Sequence, residues 1–126
     1  MIRSTKQRHA IQQAFKDSER PLTPQNVLEI ASAHVPSLGV ATVYREIRRL
    51  LEEGVLAVVD VPGHSTCYEY AQTGHNVFFR CDRCGDVYGS KSVDVPLKGN
   101  LPSGFRVENH QVFLYGRCRS CSKKKS

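Results

Sequence analysis

Apolar residues recur along this chain with two different periods, and the change from one to the other divides it. From Thr5 to about Lys16, Ile11, Ala14 and Phe15 return at helical spacing with polar residues between them. Arg20-Pro21-Leu22 breaks that segment, and Thr23-Pro24 reads as an N-cap followed by proline at the first helical position. The second helix this predicts runs to about His34, with Val27, Ile30, Ala31 and His34 as its inner stripe. After the turn Val35 to Gly39, a third helix is expected from about Val40 to Glu53, with Gly54 as its stop. Its inward side is Val40, Val43, Ile47, Leu50 and Leu51. The period then changes: Val55 to Val61 is apolar and rich in valine, Pro62-Gly63-His64-Ser65-Thr66 is a turn, and Cys67 to Ala71 is a second short strand. Helices followed by a hairpin predict a winged helix-turn-helix. Beyond His75, strands are expected at Asn76 to Arg80, Val87 to Val93 and Arg106 to Tyr115, with a short helix or loop over Asp94 to Gly104. Lys123-Lys124-Lys125-Ser126 reads as a frayed tail. The expected class is α+β: a winged helix over residues 1–72, then a small αβ lobe over 73–126.

The outer side of the third helix carries candidate chemistry. Thr42, Arg45 and Arg49 lie at i, i+3 and i+7, with Tyr44 and Arg48 flanking them. Arginine reads guanine edges bidentately or clamps phosphates, threonine contacts a thymine methyl or a phosphate, and tyrosine hydrogen-bonds or packs on the sugar. A charged helix face is commonly just a solvated one. Its place on the last helix before a wing is what points to a reading helix in the major groove.

The most specific motif is a matched pair, Cys81-Asp82-Arg83-Cys84 and Cys118-Arg119-Ser120-Cys121, with 33 residues between Cys84 and Cys118. Each C-x-x-C lets two thiolates bind one ion, and together they supply the four soft ligands of a closed tetrahedral zinc site. A closed site has no open coordination position, so such a zinc, one per chain, builds structure and does not catalyse. Two disulfides, or four unrelated thiols, are the alternative. Cys67 is a fifth, unpaired cysteine, read either as a small buried hydrophobe or as part of a second site.

Charge refines the picture less than its total suggests. The net charge is +6, yet residues 1–72 hold eight Lys/Arg and eight Asp/Glu, while 73–126 hold ten and four. The DNA-facing cue is therefore local: residues 1–16 contain Arg3, Lys6, Arg8 and Lys16 and no acid. At 126 residues the lobes are small enough that a metal or a partner chain is needed to complete their cores. No apolar run reaches about 18 residues, so no membrane span is expected. An odd number of cysteines with no export signal points to the cytoplasm. A zinc deaminase would need H-x-E, which is absent, as are G-x-S-x-G, a P-loop and G-x-G-x-x-G, so neither an enzyme nor a small-molecule substrate is expected. Two other classes stay open. One is a zinc-ribbon scaffold that binds nucleic acid through its basic half. The other is a thiol redox sensor whose zinc cysteines oxidise beside Arg80, Arg83, Arg117 and Arg119.

Several strings together resemble the ferric uptake regulator (Fur) family of bacterial transcription regulators: Thr5-Lys6-Gln7-Arg8, Ala41-Thr42-Val43-Tyr44-Arg45, Gly54-Val55-Leu56, Cys81-Asp82-Arg83-Cys84-Gly85, and Asn109-His110 through Leu114-Tyr115-Gly116-Arg117-Cys118. The resemblance implies a winged helix, a C-terminal dimerisation lobe, and a homodimeric repressor on a palindromic operator in double-stranded DNA. It implies that Tyr44 and Arg45 face DNA, that the basic first helix touches backbone or minor groove, and that Cys81, Cys84, Cys118 and Cys121 hold structural Zn2+. Phosphate contacts are then expected from Arg3, Lys6, Arg8 and Arg48, and sequence reading from Thr42, Tyr44, Arg45 and Arg49.

The chain departs from that family where its members sense metal. Pro21 stands where many carry a histidine, His75-Asn76-Val77-Phe78 where many have a histidine-rich run, Gly89 where an acid is common, and Arg117 where sensors have a histidine. Replacing oxygen and nitrogen donors by Pro, Val, Phe and Gly removes ligands altogether. The usual regulatory metal site is therefore expected to be degraded, or rebuilt from Cys67, Glu69, His75 and His110.

Overall fold

The computed structural model describes residues 2–91 and 101–123, with side chains from Thr5 onward in the first helix. The chain divides into two compact units, Met1–Gly74 and His75–Ser126.

The first unit is built on α1 (Ile2–Asp17), α2 (Pro24–Ser32) and α3 (Val40–Glu52), followed by the hairpin β1 (Leu56–Val59) and β2 (Cys67–Tyr70). It is a winged helix. Thr23 caps α2 through a reciprocal pair: its side chain accepts from the Asn26 backbone N–H, and Asn26 Oδ1 accepts from the Thr23 N–H, each at 3.0 Å. At the other end of α3, Gly54 adopts φ 76°, its N–H donates to Leu51 O, and the Val55 N–H donates to Leu50 O. That is a Schellman stop, which satisfies the last carbonyls and turns the chain directly into β1. In the wing, Val59 pairs with Cys67 and Leu56 with Tyr70. Leu22 adds an antiparallel bridge to Tyr68, which fastens the α1–α2 connection to the wing.

Ile11, Ala14, Phe15, Leu22, Val27, Ala31, Val43, Ile47, Leu50 and Leu56 form one buried core. Two expected stripes differ in detail. On α2, Pro24, Val27 and Ala31 are buried, whereas Ile30 is 40% exposed and His34 is exposed. Pro24 and Ala31 turn the stripe to one side of Val27 and leave Ile30 on its other edge. His34 lies beyond the end of the helix at Ser32. On α3, Val43, Ile47 and Leu50 are buried and Leu51 partly so, but Val40, in the opening turn, is 44% exposed.

The second unit is a three-stranded sheet in the order β4–β3–β5, from β3 (Val77–Cys81), β4 (Val87–Ser90) and β5 (Val112–Gly116), followed by the short helix α4 (Arg119–Ser122). β3 and β4 are an antiparallel pair, while β5 runs parallel to β3, with Cys81 opposite Gly116. The third strand starts at Val112 and not at Arg106, because its partner β3 begins only at Val77, opposite Val112. The expected helix or loop over Asp94 to Gly104 falls largely on residues 92–100, and the lysine tail on 124–126, outside the described residues. No helix among the described residues is long and apolar enough to cross a membrane.

One contact in this sheet fixes a residue type. A Cβ at Gly89 would come within 2.1 Å of His75 Nδ1, so the His75 ring fills the space above that position. Gly89→Ala is therefore expected to displace the ring and cost stability. In a double-mutant cycle with His75→Ala, the coupling should be about 1 kcal/mol, the range for directly contacting residues. Additive effects in thermal denaturation would show that the two positions do not compete for space.

Candidate metal centre and nucleic-acid interface

Parallel pairing of β3 and β5 brings both C-x-x-C pairs to one end of the sheet. Cys81 ends β3, and Cys118 follows the end of β5 by two residues. The first pair sits on a tight knuckle: the Cys81 N–H donates to Asp86 O at 2.9 Å, the Gly85 N–H donates to Cys81 O at 3.0 Å, and Gly85 takes φ 80°. The Asp82 N–H donates to Gly116 O at 2.7 Å, tying the knuckle to β5. Cys118 caps α4 and Cys121 lies within it, so that pair faces one way across a single turn.

The four sulfurs of Cys81, Cys84, Cys118 and Cys121 all lie within 4.8 Å of one another. Among the described residues this is the one group of three or more Cys, His, Asp or Glu donors that converge in this way. Tetrahedral Zn–S bonds of about 2.3 Å put ligand sulfurs about 3.8 Å apart. Cys84 Sγ and Cys118 Sγ stand 3.8 Å apart, too far for a disulfide and correct for two corners of that tetrahedron. All five cysteines are free thiols.

Electrostatics agree with a cation-binding cluster. Backbone N–H groups of Cys118 and Cys84, each 3.4 Å from Cys81 Sγ, pull the Cys81 thiol down to about 6. Cys118 is lowered as well, first by the Cys121 backbone N–H. Cys84 is pushed up to about 12: the Asp86 N–H works against this, but burial and the three neighbouring thiols outweigh it. Cys121 is raised, first by its contact with Cys81. Four thiols this close cannot all ionise without a positive ion between them. The donor set and geometry therefore fit a structural zinc.

The four residues of the expected second group are divided between the two units. Cys67 and Glu69 are in the first unit, His75 and His110 in the second. Cys67 is a fully buried strand residue with its sulfur 3.6 Å from His64 Nδ1, and burial pushes its thiol up to about 11. His75 sits edge-on to Phe78, and His110 Nε2 is 3.4 Å from Asn76 Nδ2. Of the arginines beside the thiols, Arg80 pairs with Asp82 at 3.1 Å and lies over the Tyr115 ring.

On the first unit, Thr42, Arg45 and Arg49 line a groove of about 340 Å³ with Gln7 and Arg8, so α1 and α3 contribute to one basic surface. Arg45 Nη2 donates to Thr42 Oγ1 at 3.0 Å. Tyr44 is 53% exposed and Arg48 is exposed, both outside the groove lining. Lys6 is exposed along α1, lining a separate hollow with His9 and His34. Arg3 falls within α1, but its side chain is outside those described.

A residue missed in the sequence lies at the floor of that groove. Glu46 is 4% exposed, accepts from Arg49 Nε at 3.0 Å and Nη2 at 2.6 Å, and accepts from Gln12 Nε2 on α1 at 2.7 Å. Arg49 Nη1 also donates to Glu53 at 2.6 Å. The i,i+3 and i,i+4 spacing of Glu46, Arg49 and Glu53 was the available signal for this network.

The family model described as "Ferric uptake regulator family" matches residues 1–115. The chain is 28% identical to the peroxide operon regulator of Bacillus subtilis (strain 168), over 99% of this chain and 88% of that protein. It is 27% identical to the ferric uptake regulation protein of Campylobacter jejuni, over 99% and 83%. Its fold is like that of the Helicobacter pylori ferric uptake regulator, with a TM-score of 0.71, 19% identity, and coverage of 96% and 83%. A zinc-bound manganese uptake regulator has a TM-score of 0.73 at 22% identity, over 89% and 87%. The chain belongs to the ferric uptake regulator family.

Cys84→Ser removes one corner of the thiol cluster. It should abolish the one zinc per chain measured by elemental analysis and unfold the second unit, because ligation and folding are coupled. The helical circular-dichroism signal of the first unit should persist. A zinc-free variant with an intact second unit would contradict a structural role for the ion.

Proposed function

We propose that this family member is a non-enzymatic, sequence-specific DNA-binding repressor. On this reading residues 1–72 are its DNA-binding domain, residues 73–126 its dimerisation domain, and a homodimer grips a two-fold operator. The observation that carries the reading is the shared groove in which Arg8 of α1 meets Thr42, Arg45 and Arg49 of α3. Arg8 of α1 and Arg45 and Arg49 of α3, against the single groove carboxylate Glu46, leave the groove net positive where α1 meets the helix that precedes the wing, as docking in a major groove requires. Arg45, Thr42 and the exposed Tyr44 are the proposed base-reading residues, with Arg49 beside them. Lys6, Arg8, Arg48 and Arg3 are the proposed phosphate contacts. The names of the regulators it resembles support the same reading. Exposed apolar side chains on the second unit, Leu114, Tyr115 and Phe105 among them, support a partner chain there.

We further propose that Cys81, Cys84, Cys118 and Cys121 hold one structural zinc, and that the family's usual regulatory metal site is lost. Three features support that loss. Pro21 and Phe78 are buried apolar residues, and the His75 ring takes up the space a side chain at position 89 would need. Cys67 is fully buried, and burial pushes its thiol up, which weighs against a reactive role for it.

Arg45→Ala tests the reading helix. On a duplex selected by the wild-type protein from a randomised library, specific affinity should fall at least about tenfold, the loss of one good bidentate contact. The oligomeric state by light scattering should stay unchanged. Undiminished specific binding would remove α3 from the reading role.

A further inference from the structure

We propose that Glu46 is a positioning residue of the DNA-reading surface: from beneath the groove it holds the Arg49 guanidinium in one fixed plane and ties that plane to α1. The inference rests on the DNA-binding reading given above and adds a residue that composition and helix-face patterning did not mark.

The geometry is specific. Both carboxylate oxygens of Glu46 are used. Oε1 takes the Arg49 Nε–H at 3.0 Å, and Oε2 takes Arg49 Nη2 at 2.6 Å, which is a bidentate fork. Oε2 also accepts from Gln12 Nε2 at 2.7 Å, so the same atom links the reading helix to the first helix. Glu53 takes Nη1 from the other side at 2.6 Å. Arg49 thus has donors committed on both flanks while it still lines the groove beside Arg8 and Arg45. Glu46 itself is nearly inaccessible and has no free oxygen to offer a base. Burial alone would raise its carboxyl pKa, but the hydrogen bonds from Arg49 and Gln12 and the charges of Arg49 and Arg8 hold it below the ordinary range.

Two consequences follow for DNA. A free arginine loses rotamer entropy when it contacts a duplex, whereas an arginine already fixed by a fork has lost much of it in the free protein. A buried carboxylate also cancels part of the basic groove, which restrains non-specific attachment to phosphates. Glu46 therefore raises discrimination between sequences and lowers affinity for DNA in general.

Glu46→Gln keeps the size and removes the charge and the fork. Two measurements test it. The first needs no DNA: in the wild-type protein the Arg49 Nε–H should give a protected, slowly exchanging NMR signal, and Glu46→Gln should lose that protection. The second is anisotropy across a salt series, on the selected duplex and on bulk DNA. Glu46→Gln should lower the specific-to-bulk affinity ratio by about tenfold, and the log–log salt slope on bulk DNA should steepen by about 0.9 as Arg49 becomes free to take one more phosphate. In an Arg49→Ala background the same substitution should leave the ratio within about twofold. The inference is overturned by an unprotected Arg49 Nε–H in the wild type. It is overturned equally by a parallel fall in specific and bulk binding without a slope change, or by an undiminished effect in the Arg49→Ala background. A wild-type protein that prefers no duplex defeats the DNA-reading role itself, and the Arg49 signal then still reports separately whether the internal fork exists.

Discussion

The second unit depends on four sulfur atoms meeting at one end of a parallel strand pair. Among the described residues its sheet has three short strands, and the cysteine cluster that closes the ends of β3 and β5 packs against Phe79. A zinc ion at the thiols would supply that closure directly. It would also remove the repulsion that four ionised thiols create on their own. The knuckle hydrogen bonds and the cap of α4 by Cys118 then serve one purpose, which is to aim the sulfurs.

The first unit solves a different problem with a different device. Its core is conventional, with buried aliphatic residues from each helix and from the wing. What sets it apart is a buried carboxylate under an arginine-rich surface. A basic groove attracts any nucleic acid, and affinity without discrimination is of little use to a regulator. An internal counter-ion moderates the field and fixes one donor in place. The two units thus share a logic: charge that would be unfavourable alone is neutralised in a geometry that also orients the functional atoms.

Much of this was legible in the sequence because the signals were local. The Thr23-Pro24 cap, the Gly54 stop, the wing turn and both C-x-x-C pairs each depend on neighbouring residues, and each appears in the structure as expected. The signals that failed were those set by distant partners. Arg106 to Gln111 was expected in the strand, but the pairing of β5 with β3 begins only where Val77 stands opposite Val112. Ile30 and His34 fit a helical period, but the contact with α1 and α3 determines which edge of α2 is covered. Glu46 went unmarked because a period analysis cannot see Gln12, 34 residues away, reaching across from α1. The parallel direction of β5 was likewise invisible, although the 33-residue gap between the cysteine pairs leaves room for the crossover it needs.

A DNA-binding regulator whose bound metal is structural and whose regulatory metal site is lost should hold its operator whether or not free metal is present. The most direct test measures zinc content and specific DNA binding on the same sample, before and after a chelator too weak to strip a four-thiolate site. One zinc per chain should be retained, and the specific affinity for the selected duplex should be unchanged. Loss of specific binding while the thiol-bound zinc stays in place would contradict it, and would mean that a second metal controls this protein.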